Sequence, residues 1–357
     1  MGFSRAGAAG GRCKPLVEGS ILQPDVWLAH HPGGMWSSEL NVLQEAGIHS
    51  VMVQWTAETR VDRTMSAVWY PSRLADAPNP RGDALTGLLA EAKQRDMGVY
   101  IGLQMPDNWP FQAVFGDWPR REAATSGRLA QDIWSLFSPV YANQIRGWFL
   151  VPELEDSYRP NDRLGNPLRP EDLWSPVREY FQLTAVALHQ LTPELPVICA
   201  PTFSFASAAP TDTVRFNSML AAILPSGIDV VMVQDRTGEY DAVLDHLPTW
   251  YEAARSAVVE ANSTGSRRRP VQPWNDAEFY RLKGTAMSTA PVSEAAAAIS
   301  TARPYVSKTF CFSYDHWVSH LGFGDQATEH AYRSYLTSQP KCIENGPYLA
   351  SPSATTS

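Results

Sequence analysis

Residues 195–233, LPVICAPTFSFASAAPTDTVRFNSMLAAILPSGIDVVMV, contain one full unit of the pattern that decides the fold. Two apolar runs of strand length, Leu195–Ala200 and Asp229–Val233, flank an amphipathic stretch, Thr213–Leu224. A strand, a helix and a second strand in this order predict two parallel strands, with the helix packed against one face of the sheet.

The same unit recurs along the chain. Eight apolar runs predict strands: Leu16–Leu22, Ser50–Gln54, Gly98–Leu103, Gly147–Pro152, Leu195–Ala200, Asp229–Val233, Pro270–Trp274 and Thr309–Tyr314. Eight amphipathic segments predict helices: Trp36–Ala46, Ala84–Arg95, Arg128–Tyr141, Val177–Leu191, Thr213–Leu224, Thr249–Ala261, Ser293–Arg303 and Thr328–Thr337. Eight alternating units predict an α/β fold, a single (β/α)8 TIM barrel. An open doubly wound sheet is the alternative, but the Gly-rich phosphate turn usual in such sheets is absent from the sequence.

The predicted connections differ in length. Those from helix to strand are short, as in Gly47–His49, whereas those from strand to helix are long, as in Trp55–Asp83 and Glu153–Pro176. Barrel enzymes carry their long loops and their chemistry at the carboxyl ends of the strands. We therefore expect residues 16–338 to form the catalytic barrel, after a flexible arm at 1–15 and before a tail at 339–357.

Composition limits the partners. The 357 residues include 29 Lys and Arg and 37 Asp and Glu, a net charge of −8 that argues against nucleic-acid binding. No apolar run reaches the roughly 18 residues needed to cross a bilayer, so no membrane association is expected. The four cysteines show neither CxxC nor metal-ligand spacing, which favours a cytoplasmic location unless a leader has been removed.

Polar and aromatic residues recur at the predicted strand ends: Gln23, Gln54, Trp55, Gln104, Glu153, Glu155, Gln234, Asp235, Trp274, Asn275, Glu278, Tyr314 and Asp315. Amides and carboxylates hydrogen-bond hydroxyl groups, and indole faces cover the apolar faces of sugar rings. We take Glu153, Glu278 and Asp235 as catalytic candidates and the others as substrate-binding candidates. For Trp55 and Trp274, a structural lid over the barrel is an equally compatible interpretation.

The fourth predicted strand carries the sharpest signal. Because side chains alternate along a strand, Val151, Glu153 and Glu155 share one face. If Val151 points into the barrel, Glu153 emerges at its rim, partly desolvated and with the raised pKa that a general acid needs. The alternative is a solvated carboxylate or an ion pair with Arg159 or Arg163.

Glycoside cleavage needs a second carboxylate across the pocket. Glu278 is the first choice and Asp235 the second, whereas Asp276 and Asp315 could equally cap a following helix. The histidines at 30, 31, 316 and 320 lack metal-ligand spacing, so we expect neither a metal nor a cofactor. The absence of GxSxG, HExxH and P-loop patterns argues against serine hydrolases, zincins and NTPases.

Several short motifs, in order along residues 16–338, resemble a bacterial family of domains of unknown function whose members are glycoside-hydrolase-like TIM barrels. They include Gly19–Gln23, Val53–Trp55, Gly147-Trp148 with Pro152-Glu153, Gln234-Asp235, and Trp274-Asn275 with Glu278-Phe279. The resemblance implies an acid/base on strand four and a nucleophile on strand seven. Carried onto this sequence, these are Glu153 and Glu278.

The sequence therefore predicts an enzyme that cleaves an O-glycosidic bond in a small-molecule or oligosaccharide substrate. Two other interpretations stay open. One is an intracellular tailoring enzyme that uses the same carboxylates for acid–base cyclisation or elimination, and the other is a non-catalytic carbohydrate-binding barrel.

Overall fold

The computed structural model describes residues 16–25, 35–60, 64–106, 117–157, 174–204, 210–239, 243–265 and 267–338. The expected arm at 1–15 and the expected tail at 339–357 lie outside these ranges. Within the described residues, no helix is both long and apolar enough to cross a membrane.

Eight parallel strands close into a barrel in which each strand pairs with its neighbours in sequence, and the last pairs with the first. The strands are β1 (Gly19–Leu22), β2 (Ser50–Val53), β3 (Gly98–Gly102), β4 (Ile145–Leu150), β5 (Val197–Cys199), β6 (Val230–Gln234), β7 (Gln272–Glu278) and β8 (Lys308–Phe312). The (β/α)8 prediction is confirmed. Strand β7 runs four residues beyond its predicted end at Trp274, which matters for the site.

Among the described residues, eight helices follow the strands: α1 (Trp36–Glu45), α2 (Leu85–Gln94), α3 (Trp118–Tyr141), α4 (Ser175–Leu191), α5 (Pro210–Ile223), α6 (Leu247–Ser263), α7 (Val292–Ala302) and α8 (Gln326–Ser338). Seven match their predicted segments to within three residues at each end. The prediction for α3 was wrong at its start, because the helix begins ten residues before Arg128. Pro119 is compatible with the first helical turn, and Gly127 lies inside the helix, facing Ala187 of α4.

The register of the strands shows which side chains face the barrel interior. The rings of Tyr100, Trp274 and Phe310 meet inside the barrel, with centroids 5.3–5.6 Å apart. Met52 pairs with Tyr100, and Met232 pairs with Trp274, so these positions share the inner face. Gln54 and Gln234 lie two residues after Met52 and Met232, so their side chains also face the interior. On β7, Asp276 and Glu278 follow Trp274 on the same inner face.

The long connections after the strands have β-structure of their own. Ala57–Thr59, Met65–Val68 and Gln104–Pro106 form a three-stranded sheet from the segments that follow β2 and β3. Tyr280–Lys283 and Ala286–Thr289 form a hairpin directly after β7. These additions all follow the carboxyl ends of strands, where the sequence predicted the long loops.

Gly102 allows the ends of β2 and β3 to approach closely, since a Cβ there would lie 1.9 Å from the carbonyl oxygen of Gln54. We expect G102A to lower the free energy of unfolding by about 3 kcal/mol, because the two backbones must separate. The matched control is G127A, whose Cβ would meet only the Ala187 Cβ at 3.5 Å and which should gain up to about 1 kcal/mol from helix propensity. Urea unfolding of both variants measures the difference, and equal stabilities would contradict the packing described.

Candidate active site

Glu153 lies just beyond the end of β4, on the inner face, and is half-buried. Nε2 of Gln54 donates to its Oε1 at 3.4 Å, and the side chain of Gln234 also hydrogen-bonds to it. Burial raises the pKa of Glu153 to about 7, and the charges of Glu239 and Glu155 act in the same direction. At neutral pH this carboxyl group can therefore both give and take a proton.

Glu278 is the last residue of β7, and its side chain is 5% exposed. The backbone N–H of Gly238 donates to its Oε2 at 2.7 Å, and the Tyr280 hydroxyl, which donates to Glu239, lies beside it. Burial raises the pKa of Glu278 well above its usual range, and the neighbouring charges, Asp235 first, raise it further. The N–H of Gly238, in the turn after β6, therefore fixes this carboxyl group from a separate segment of the chain.

Asp235 is fully buried and supports the backbone of Glu278. Its Oδ1 accepts hydrogen bonds from the N–H of Thr237 at 3.1 Å, from the Thr237 hydroxyl at 2.8 Å and from the N–H of Glu278 at 3.3 Å. Burial raises its pKa to about 6. This carboxylate holds the turn after β6 against the end of β7, so Glu278 is the better placed of the two candidates to meet a substrate.

Asp276 is a site residue that the sequence analysis did not select. It lies two residues before Glu278 on the same face of β7, and its side chain is 5% exposed. Burial raises its pKa well above the usual range, and the charges of Asp235 and Glu153 raise it further. The signal in the sequence is the two-residue spacing of Asp276 and Glu278. That spacing puts both side chains on the same face only if the strand extends beyond Trp274.

The rim of the site is held by Arg236, which follows β6. Its Nε donates to Oε2 of Glu239 at 2.8 Å, and its Nη1 donates to the carbonyl of Phe203 at 2.8 Å and to Oε2 of Glu155 at 3.3 Å. The Tyr280 hydroxyl lies 3.4 Å from Oε1 of Glu239. Glu155, expected to bind substrate, is therefore part of an ion-pair network at the rim. Arg236 and Glu239 belong to the same network, and no motif in the sequence indicated them.

The model of one protein family matches residues 17–321, and that family is described as a domain of unknown function, DUF4434. This chain belongs to the DUF4434 family. No curated protein sequence matches it.

Solved structures show the fold that this DUF4434 protein shares. A putative alpha-L-fucosidase from Bacteroides thetaiotaomicron VPI-5482 aligns with a TM-score of 0.70 at 15% identity, over 92% of this chain and 97% of that one. A beta-galactosidase from Rahnella sp. R3 aligns with a TM-score of 0.57 at 10% identity, over 92% of this chain and 56% of that one. A chitinase from Chromobacterium violaceum ATCC 12472 aligns with a TM-score of 0.50 at 13% identity, over 91% of this chain and 99% of that one. At these identities the likeness establishes the (β/α)8 barrel fold, not an activity.

Two residues of β7 in the DUF4434 barrel lie apart from the acidic side chains, contrary to expectation. Trp274 fills the barrel interior, stacked on Phe310 with Lys308 Nζ 4.9 Å from its ring centroid. It cannot serve as a platform at the strand end, because the strand continues for four residues beyond it. Asn275 points outward and accepts a hydrogen bond from the Tyr251 hydroxyl of α6, since neighbouring residues of a strand face opposite ways.

Gln104 also lies away from the acidic side chains. It belongs to the three-stranded sheet, and its amide is buried against α3. Its Nε2 donates to Glu122, and its Oε1 accepts from the Ser126 hydroxyl at 3.0 Å. The prediction that Gln104 binds substrate does not fit this position, because both ends of its amide are hydrogen-bonded to the helix.

Tyr314 and Asp315 turn out of the barrel in the short helical segment Tyr314–Val318 after β8. The Tyr314 ring meets Tyr332 of α8 edge-on, and Asp315 accepts a hydrogen bond from the Ser20 hydroxyl. Both are fully buried between the barrel wall and the helices, so the substrate-binding role expected for them does not fit.

Gln23 and Trp55 remain near the carboxyl ends of β1 and β2. Gln23 directly follows β1 and is half-buried. Trp55 is 7% exposed, and within the described residues its indole N–H has no hydrogen-bond acceptor. A buried N–H of this kind can donate to a hydroxyl group of a ligand.

An aromatic wall beside Glu278 was not selected from the sequence. The Tyr280 ring lies 6.0 Å from that of Trp317, which stacks on the half-exposed Phe323 at 5.4 Å. Because the Tyr280 hydroxyl also lies beside Glu278, the wall extends from the nucleophile candidate to the protein surface.

The histidines show no metal centre in the described part of the chain. His30 and His31 lie outside it. His316 Nε2 is 3.4 Å from Asp315, and His320 Nδ1 is 2.5 Å from Glu329. Within the same ranges, no group of three or more His, Cys, Asp or Glu side chains is arranged to hold a metal ion.

Proposed function

We propose that this DUF4434 protein hydrolyses O-glycosidic bonds, with Glu153 as the general acid and Glu278 as the second carboxylate. The observation that carries the proposal is the position of two carboxyl groups on the inner face of the barrel, at the carboxyl ends of β4 and β7. That end of a barrel is where such folds have their chemistry, and paired carboxylates are the usual machinery of glycoside hydrolysis.

Each carboxyl group has a distinct task. Glu153 protonates the leaving oxygen, oriented by the amides of Gln54 and Gln234. Glu278 attacks the anomeric carbon or activates a water molecule, with the Gly238 N–H fixing its position. Asp235 maintains the backbone of Glu278.

The aromatic wall supplies the ring-binding surface that was first assigned to Trp274. Tyr280 lies beside Glu278 and its ring is 6.0 Å from that of Trp317, so these rings would cover the apolar face of a sugar or of its leaving group. The buried indole N–H of Trp55 and the amide of Gln23 are further candidates for binding hydroxyl groups.

Activity should depend on pH through both carboxyl groups. Glu153 loses its proton as the pH rises through about 7, so the general acid is lost above that pH. Glu278 must be ionised to act. Because its pKa is raised, Glu278 takes up a proton at a higher pH than an ordinary glutamate does, and activity is lost as the pH falls through that range. We expect a bell-shaped profile of kcat/KM with a basic limb near pH 7. An unchanged basic limb in E153Q would contradict the assignment.

The direct test is a panel of 4-nitrophenyl glycosides that varies the sugar and the anomeric configuration and includes sugars with a free amine. The proposal expects release of 4-nitrophenol from at least one member by the wild type and its loss in E278A, whereas E153Q should lose its activity on a glycoside of the same sugar that has a poor leaving group. Sugar binding without product from any member, in the wild type and in both variants, would instead favour a carbohydrate-binding barrel.

A further inference from the structure

Carboxylates dominate the site. Glu153, Glu155, Asp235, Glu239, Asp276 and Glu278 all lie in or around it. In the described part of the chain, the basic side chain in contact with this group is Arg236, which is hydrogen-bonded to Glu155 and Glu239 at the rim. The inner part, around Glu153 and Asp276, is therefore lined by acidic groups, which disfavour an anionic ligand and can ionise beside a cationic one.

Two buried acceptors in this inner part have no donor among the described residues. One is Oδ1 of Asp276, whose side chain is 5% exposed, and the other is Oε1 of Gln54, whose side chain is 7% exposed. The amide of Gln54 is oriented by its hydrogen bond to Glu153, which leaves its oxygen as the free end. Buried acceptors without donors are costly, so a ligand that supplies N–H groups here would be favoured.

We propose that the sugar recognised by this site carries a positively charged amine, as an unacetylated amino sugar does, bound by Asp276 and Gln54 beside Glu153. The inference rests on the proposed function and specifies its substrate class. An ammonium group supplies three N–H donors and one positive charge, which match the two acceptors and the surrounding carboxylates.

A bound ammonium group would also prepare the second carboxylate. Burial and neighbouring charges hold protons on Asp276 and Glu278, and a cation beside them favours their ionised forms. Binding should therefore release protons and leave Glu278 ready to act. Neutral sugars lack this effect, and uronic acids would oppose it.

Isothermal titration calorimetry tests the inference without requiring turnover. The probes are D-glucosamine, D-galactosamine and D-mannosamine, each compared with its parent hexose, with its N-acetyl form and with D-glucuronic acid. Titrations at about pH 6.5, in two buffers with different heats of ionisation, also count the protons released. We expect at least one amino sugar to bind on the order of 10-fold more tightly than its parent hexose, with proton release.

The variant D276N removes the charge with little change of shape and should abolish the preference for the amine. The matched control is D76N, an equivalent change at an exposed residue that pairs with Arg128 away from the site, and it should retain the preference. Equal binding of amines and parent hexoses, no binding of any probe, or an amine preference that survives in D276N would overturn the inference.

The two proposals fail in different ways. Cleavage of neutral glycosides that depends on Glu153, without any amine preference, would retain the hydrolase and remove the amino-sugar inference. An amine preference that depends on Asp276, with no cleavage of any glycoside, would retain the amino-sugar inference and remove the hydrolase.

Discussion

E153Q should lower kcat by a factor of about 10²–10⁴ on a glycoside with a poor leaving group, because the leaving oxygen no longer receives a proton. Glutamine keeps the size of the side chain and its contact with Gln54, so the loss reports the missing acid rather than a change in packing. The loss should be much smaller for 4-nitrophenyl glycosides, whose leaving group departs with little protonation. Steady-state rates on substrates with graded leaving groups measure this difference.

The matched control is E179Q, the same chemical change at an exposed residue of α4 that pairs with Arg120. It should have the activity of the wild type. If E153Q were as active as E179Q on every substrate, Glu153 would not be the general acid, and a rate loss independent of the leaving group would point to a positioning role.

E278A should lower kcat by about 10⁴-fold or more on every substrate, because the second carboxylate takes part whatever the leaving group. Its contacts with Gly238 and Tyr280 end with the side chain, but the backbone stays held by Asp235. Rates per mole of folded enzyme, checked by circular dichroism, measure the effect.

N275A provides the contrast for E278A within the same strand. Asn275 points toward Tyr251 of α6, so its loss should lower stability while the folded enzyme keeps most of its activity. Turnover of E278A within tenfold of the wild type would remove Glu278 from the mechanism and make Asp235 the next candidate. Activity losses of equal size in both variants would contradict the inward and outward faces assigned to β7.

Alternating apolar runs were sufficient to predict the barrel from the sequence, because buried parallel strands are apolar and the helices between them are amphipathic. Glu153 followed from the two-residue period of β4, which continues past Pro152 onto the inner face. In β7 the same approach was wrong about where the strand ends. The apolar run stops at Trp274, but the strand continues through Asn275 and Asp276, because the inner face near the site is polar.

The remaining differences have a common physical cause. Position near a strand end can be read from the sequence, but the direction of the side chain depends on the path of the chain beyond the strand. Gln104 enters a second sheet and bonds to α3, and Tyr314 and Asp315 follow a helical segment that turns outward. Asp276 and the pairing of Tyr280 with Trp317 became apparent only once the extent of β7 and its hairpin was known.

A crystal structure of E153Q with a glycoside that carries the best sugar of the panel on a poor leaving group tests the central claim most directly. We expect an intact glycoside whose glycosidic oxygen lies within about 2.6–3.2 Å of the side-chain amide at position 153 and whose anomeric carbon faces Glu278. In the wild-type complex, carboxyl groups about 5–5.5 Å apart would indicate a retaining enzyme, and about 6.5–9.5 Å an inverting one. A sugar bound outside the barrel end, or one whose anomeric carbon lies away from both carboxyl groups, would contradict the account.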